Sequence, residues 1–210
     1  MTSVQSEFSP AALLQRYLPD ASPETLNTLA KCFSKKSYAK DSAVLRQNEV
    51  WQDVWLIESG LLRLAFLRPD GQEFNKNFYG AQALLAPLTP EMRAKPSLFG
   101  VHCMSKSQIW HCPYVQWIEI LNQQSPQLWA KLQSELLQKL VSHKLQREHD
   151  LLTLNARQRY EAFNEQFPEI ANDIPLKHLA SYLGMTNVSL SRIRQKYALN
   201  PEKLTSVNDN

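Results

Sequence analysis

The spacing of apolar positions along the chain changes its period twice. Near the beginning, Leu26, Leu29, Ala30 and Phe33 recur at helical spacing. They follow Ser22-Pro23-Glu24, a capping hydroxyl, a first-turn proline and an acid facing the helix dipole. The first 34 residues are therefore expected to be helical. From about Lys36 to Cys112 the period shortens. Val54-Trp55-Leu56-Ile57 is a brief apolar run that ends at Ser59-Gly60. Leu62, Leu64 and Phe66 then alternate with Arg63, Ala65 and Leu67, as a half-buried strand requires. Pro69-Asp70-Gly71 predicts a tight turn into QEFNKNF. Short strands punctuated by turn residues predict a sandwich or barrel. Residues 80–100 hold three prolines and read as a long irregular loop, a kind of segment that is usually functional or mobile.

The helical period returns after Pro113. Behind the start signal Ser125-Pro126, Leu128, Trp129, Leu132, Leu136, Leu137, Leu140, Val141 and Leu145 form one broad stripe. The helix they predict has roughly 25 residues and a length of about 40 Å. Such a stripe either packs on the chain's own β-region or pairs with a second copy across a two-fold axis, and the latter is the reading adopted. Leu152-Thr153-Leu154-Asn155 reads as a break before a last compact helical region, 156–199.

Within that last region lies LASYLGMTNVSLSRIR. Ile174-Pro175 opens a helix whose Leu176, Leu179, Ala180 and Leu183 share a face. Gly184 stands where this helix must stop and turn. Thr186 is then a suitable cap for a second helix with apolar Val188, Leu190, Ile193 and Tyr197. An ordinary helical hairpin has the same requirements. The second helix favours a nucleic-acid partner: from Asn187 to Tyr197 it carries three cations, Arg192, Arg194 and Lys196, and no acid. Short polar residues fill its first turn, suited to phosphate oxygens, while arginine can grip a guanine edge by two hydrogen bonds.

Composition narrows the partners. The 210 residues are 43% hydrophobic and 20% charged, with a net charge of +3, so any anionic partner is met locally rather than by a uniformly basic surface. The N-terminal residues do not read as a secretory signal and no window is apolar enough for a membrane span, which predicts a cytoplasmic protein without membrane partners. Cys32, Cys103 and Cys112 lack paired spacing and are expected as reduced thiols. No glycine-rich phosphate loop, nucleophile elbow or helical His/Glu metal spacing is present, so an enzyme is not expected, nor is a cofactor. His102-Cys103 and His111-Cys112 would offer metal ligands if their strands formed a hairpin, but strand neighbours point to opposite faces and a structural role is the simpler reading.

IPLKHLASYLGMTNVSLSRIRQKY resembles the winged helix-turn-helix signature of the Crp/Fnr superfamily of transcription regulators. Upstream, ESGLLRLAFLRPDGQEF is similar to that family's cyclic-nucleotide-binding β-roll, and the long helix follows in the family's order. The resemblance spans roughly residues 10 to 200. It implies an α+β fold: an N-terminal double-stranded β-helix (jelly-roll) sensor domain over 1–124, a long dimerisation helix over 125–152, and a C-terminal winged helix-turn-helix over 153–210. It also implies a homodimer on a palindromic operator in double-stranded DNA, an unidentified small-molecule effector, and contact with RNA polymerase if the protein activates. Thr186 corresponds to the start of the recognition helix. Asn187, Val188, Ser189 and Arg192 fall on the family's DNA-facing positions, with Ser189 expected at phosphate and Arg192 at a base. Ser191 occupies a position that touches DNA in some members, and the basic Arg194 and Lys196 complete the expected set. Val188 departs from the glutamate common there: valine accepts no hydrogen bond from cytosine and offers only an apolar contact, such as to a thymine methyl. The effector site departs further. Gly80 is followed by Ala81-Gln82 instead of Glu, and Ser97-Leu98 stands where Arg-Ser would hold a cyclic phosphate. An effector contact would therefore fall to Gly80, Gln82, Arg93 and Ser97, without the usual paired cation. Cyclic-AMP dependence is not expected. The alternative is an interaction or ligand-sensing module of the same fold that has lost DNA binding.

Overall fold

A computed structural model describes residues 8–199. Two helices, α1 (Pro10–Tyr17) and α2 (Pro23–Lys31), precede the strands, and Ser22 caps α2 by accepting from the Thr25 amide at 3.1 Å. The strands are β1 (Ser34–Tyr38), β2 (Ala43–Leu45), β3 (Asp53–Ser59), β4 (Leu62–Leu67), β5 (Glu73–Tyr79), β6 (Leu84–Leu85), β7 (Gly100–Cys103) and β8 (Ser107–Pro113). A short helix, α3 (Pro90–Ala94), lies between β6 and β7, so the proline-rich segment expected as a loop holds both a strand and a helix. Next come α4 (Tyr114–Gln124), the long α5 (Pro126–Thr153), α6 (Ala156–Gln166), α7 (Leu176–Leu183) and α8 (Asn187–Leu199). The expected break at Leu154-Asn155 is a reciprocal cap: Asn155 accepts from the Gln158 amide while the Gln158 side chain accepts from the Asn155 amide.

The strands form two four-stranded sheets, ordered β1-β8-β3-β6 and β2-β7-β4-β5, and the registered pairs are antiparallel. β3 is buried on both faces, which is why it reads as an unbroken apolar run. Its Val54 and Leu56 join α1, α2, α4 and the start of α5 in one core with Trp117, Trp129 and Leu132. Trp55 and Ile57 join the other core with Trp51, Leu62, Leu64, Phe99 and Val101. Because β7 and β8 belong to different sheets, the hairpin that would have set His102 opposite His111 does not form. His111 instead lies between Asp53 and Tyr38, at 3.0 Å from each. Among the described residues, no group of three or more His, Cys, Asp or Glu side chains is placed to hold a metal ion. No helix among them is long and apolar enough to cross a membrane.

The described chain divides into two compact units. The first runs through Leu64 and resumes over Phe78–Leu140; the second comprises Ala65–Asn77 and the residues from Val141 onward. This differs from the three segments expected from the sequence in two respects. The long helix is shared between units instead of standing apart, and the tip of the β4–β5 hairpin belongs with the C-terminal helices. The strand alternation breaks where that second unit begins: Ala65 is buried, while Phe66 and Leu67 are exposed.

Candidate nucleic-acid interface

The second unit is built around Leu179, Ala180, Tyr182, Leu183 and Leu190, with Tyr160 and Phe163 from α6 and Ile174 from the connection before α7. That connection, 167–175, is turns without a strand, and the part of the expected 153–210 winged helix-turn-helix beyond α8 lies outside the described residues. α7 ends at Gly184, whose φ of 64° lies in the left-handed region. A Cβ there would also approach the end of the Leu151 side chain at 3.0 Å, a tight contact that adds to the preference for glycine. Thr186 caps α8: its hydroxyl accepts from the Ser189 amide at 3.1 Å and lies 2.9 Å from the Ser189 hydroxyl.

The tip of the β4–β5 hairpin is joined to α7 by polar contacts. The turn is fixed by Gly71 at a φ of 82° and by the Arg68 amide donating to Gln72. Asn75 is only 2% exposed. Its amide donates to the Ser181 hydroxyl at 3.1 Å and its side chain donates to the His178 carbonyl at 3.1 Å. Arg147 of α5 donates to the Asn75 and Tyr182 carbonyls and lies over the Tyr182 ring. Burial, with Lys144 and Arg147 nearby, pushes the Lys76 ammonium down to about 8. The hairpin and the α7–α8 turn together line an open groove that includes Phe74, His178, Ser181 and Thr186.

α8 has two faces. Leu190 is wholly buried, and Ile193 and Tyr197 are half-buried. Thr186, Asn187, Val188, Arg192 and Lys196 are exposed, with Val188 at 60%. Val188 and Arg192 are four apart and share the outer face, which Ser191 adjoins at intermediate exposure. Ser189 is half-buried and its hydroxyl contacts the Thr186 cap.

Arg194 stands apart from the exposed members of the expected set, at intermediate exposure. Its guanidinium donates to the Ala171 and Ile174 carbonyls at 3.3 and 3.4 Å and lies over the Tyr160 ring, fastening α8 to the connection that precedes α7. A residue between hydrophobic positions 193 and 197 turns inward, and its long side chain finds carbonyls left open by a turn. Gln195, which residue type alone had not marked, is exposed three positions after Arg192. The spacing 188, 192, 195 is the signal that would have found it.

The four candidate effector residues are not brought together into an anion site. Arg93 donates to the Pro87 carbonyl at 2.9 Å and lies over the Tyr114 ring. Ser97 is buried and its hydroxyl bridges to the Phe99 carbonyl at 2.8 Å. Gln82, at a φ of 66°, is held by Arg16 and Tyr17 of α1, and Gly80 is only half-buried beyond the end of β5. The space between the sheets is filled by Trp51 stacked on Trp55 at 4.7 Å, with Phe99 edge-on.

No family model matches the chain, and no curated protein does. Solved structures do. FixK2 from Bradyrhizobium japonicum is 17% identical with a TM-score of 0.67, over 80% of this chain and 86% of that one. CLP of Xanthomonas campestris, a regulator responsive to c-di-GMP, is 12% identical with a TM-score of 0.68, over 86% and 93%. A transcriptional regulator of the crp/fnr family from Eubacterium rectale is 15% identical with a TM-score of 0.66, over 88% of each chain. The chain thus has the fold of Crp/Fnr regulators.

Proposed function

We propose that this protein is a homodimeric, sequence-specific DNA-binding transcription regulator in which α8 is the reading helix. The observation that carries the reading is the polarity of α8: its apolar residue Leu190 is wholly buried, while Asn187, Arg192, Gln195 and Lys196 are exposed with no acid among residues 187–197. The Thr186 cap and left-handed Gly184 present the first turn of α8 as helix-turn-helix proteins present theirs to the major groove. Arg192 is the base-reading residue and Lys196 a phosphate contact, with Val188 beside Arg192 selecting an apolar base edge. Arg194 is not counted among the readers.

Dimerisation is supported by α5, whose Val141, Leu145 and Leu152 are exposed at spacings of four and seven residues. The sheet order 1-8-3-6 and 2-7-4-5 supports the double-stranded β-helix reading of the sensor unit. The internal commitments of Gln82, Arg93 and Ser97 support independence from cyclic AMP.

The test is fluorescence anisotropy on duplex DNA as salt is raised. Affinity falls steeply, with a log–log slope set by the number of phosphates neutralised. Arg192→Ala flattens the preference among sequences and leaves binding to non-specific duplex nearly unchanged. An affinity indifferent to salt would favour the interaction module that no longer reads DNA.

A further inference from the structure

Two of the three cysteines, 80 positions apart in the chain, come to the same end of one strand pair. In the β1–β8 ladder, Ser34 stands opposite His111. Cys32, two residues before Ser34, and Cys112, directly after His111, therefore come to the same end of that ladder, one residue out of direct opposition. Cys32 closes the C-terminus of α2, and both side chains enter the core under the helices. The Cys32 thiol is near enough to be among the groups that raise the Cys112 thiol. Each also faces a backbone carbonyl, Cys32 that of Thr28 at 3.7 Å and Cys112 that of Pro113 at 3.6 Å.

We propose that Cys32 and Cys112 form a reversible disulfide on two-electron oxidation by a hydroperoxide. The asymmetry of the pair assigns the roles. Cys32 is half-buried and accessible to a small oxidant, whereas Cys112 is wholly buried. Burial, and then the neighbouring Cys32 and Asp53, push the Cys112 thiol up to about 12, so it does not start the reaction as a thiolate. Cys32 sulfur attacks one oxygen of hydrogen peroxide; the O–O bond breaks, the thiol proton joins the leaving oxygen as water, and a sulfenic acid remains. Cys112 sulfur then attacks Cys32 sulfur. The S–O bond breaks, and the hydroxyl leaves as a second water with the Cys112 proton. Two thiols have lost two electrons and one peroxide has gained them.

Cys103 is the internal control. It lies in the other core, between the sheets, and takes no part in the pair. The proposal is independent of whether α8 reads DNA.

The experiment treats the folded full-length protein with hydrogen peroxide, alkylates remaining thiols under denaturing conditions, and maps peptides by mass spectrometry before and after dithiothreitol. The expected result is loss of two alkylatable thiols per chain and a Cys32–Cys112 linked peptide within a monomer, both reversed by reductant. Cys103→Ser leaves the crosslink intact, and Cys32→Ser abolishes it with Cys112 still alkylatable. Overoxidised Cys32 beside a free Cys112, a crosslink through Cys103, a crosslink only between chains, or no oxidation would each overturn the proposal. The wild-type map decides without the variants, so a poorly folding substitution does not rescue it.

Discussion

The space between the two sheets and the outer face of α8 treat polar groups in opposite ways. Between the sheets, His111 and Ser97 are committed internally. His111 is buried, with its Nδ1–H donating to the Asp53 carboxylate and its Nε2 at 3.0 Å from the Tyr38 hydroxyl. Ser97 is likewise committed to the Phe99 carbonyl, and Arg93, on α3 outside that space, to the Pro87 carbonyl. On α8, Asn187, Arg192, Gln195 and Lys196 stand in solvent. A helix held by one wholly buried leucine and an inward arginine can carry an outer face whose residues contribute little to folding. That separation of tasks is what a recognition surface needs, and the filled β-region lacks it.

The sharpest way to break the contrast is to change neighbouring α8 residues that face opposite ways. Leu190→Ala removes a wholly buried side chain and should destabilise the second unit by about 2–5 kcal/mol, read as an earlier urea transition. Val188→Ala, two residues away and exposed, should leave that transition within about 0.5 kcal/mol. Equal effects would mean that α8 has no free face.

Arg192→Ala probes the outer face directly, at a cost of ~1–3 kcal/mol in binding to a preferred duplex with no change in urea midpoint. An equal loss on every duplex would assign Arg192 to phosphate alone. Gly184→Ala acts at the turn that sets this face, through a left-handed backbone and a 3.0 Å approach to Leu151. It should destabilise by roughly 1 kcal/mol or more, measured by thermal unfolding.

The smallest effect belongs to the interior pair. The hydrogen bond from His111 holds the Asp53 carboxyl below its ordinary range, against the opposing effect of burial. A lowered carboxyl contributes stability that is complete above its unfolded value, about 4, and is lost as pH falls through the still lower folded value. Asp53→Asn should therefore reduce stability at neutral pH and flatten its decline below about pH 4, seen in urea midpoints across that range.

What could be read from the sequence was local and repeated. Ser22-Pro23, Ser125-Pro126 and the Gly184–Thr186 turn mark helix ends because a cap or a left-handed residue acts within a few positions. The run at Val54–Ile57 was legible as a strand, but not as one covered on both sides, since that depends on which helices return to it. Three things were out of reach for the same reason. Adjacent β7 and β8 part into different sheets, so His102 and His111 do not face one another. Arg194 has the chemistry of a DNA contact but is turned inward by its place between Ile193 and Tyr197. Asn75 reads as the polar side of an alternating strand, yet it is buried against α7 while Phe74 is exposed. Periodicity gives the face of an element; only the tertiary partner says which face is covered.

The measurement that bears most directly on the central claim is selection of binding sites from a random duplex pool by the purified protein and by Arg192→Ala in parallel. The account predicts a palindrome for the native protein, its half-sites about 10 base pairs apart centre to centre. Arg192→Ala should lose the preference at one base pair in each half-site and keep the rest. No enrichment by the native protein, or a motif unaltered by the substitution, would contradict α8 as the reading helix.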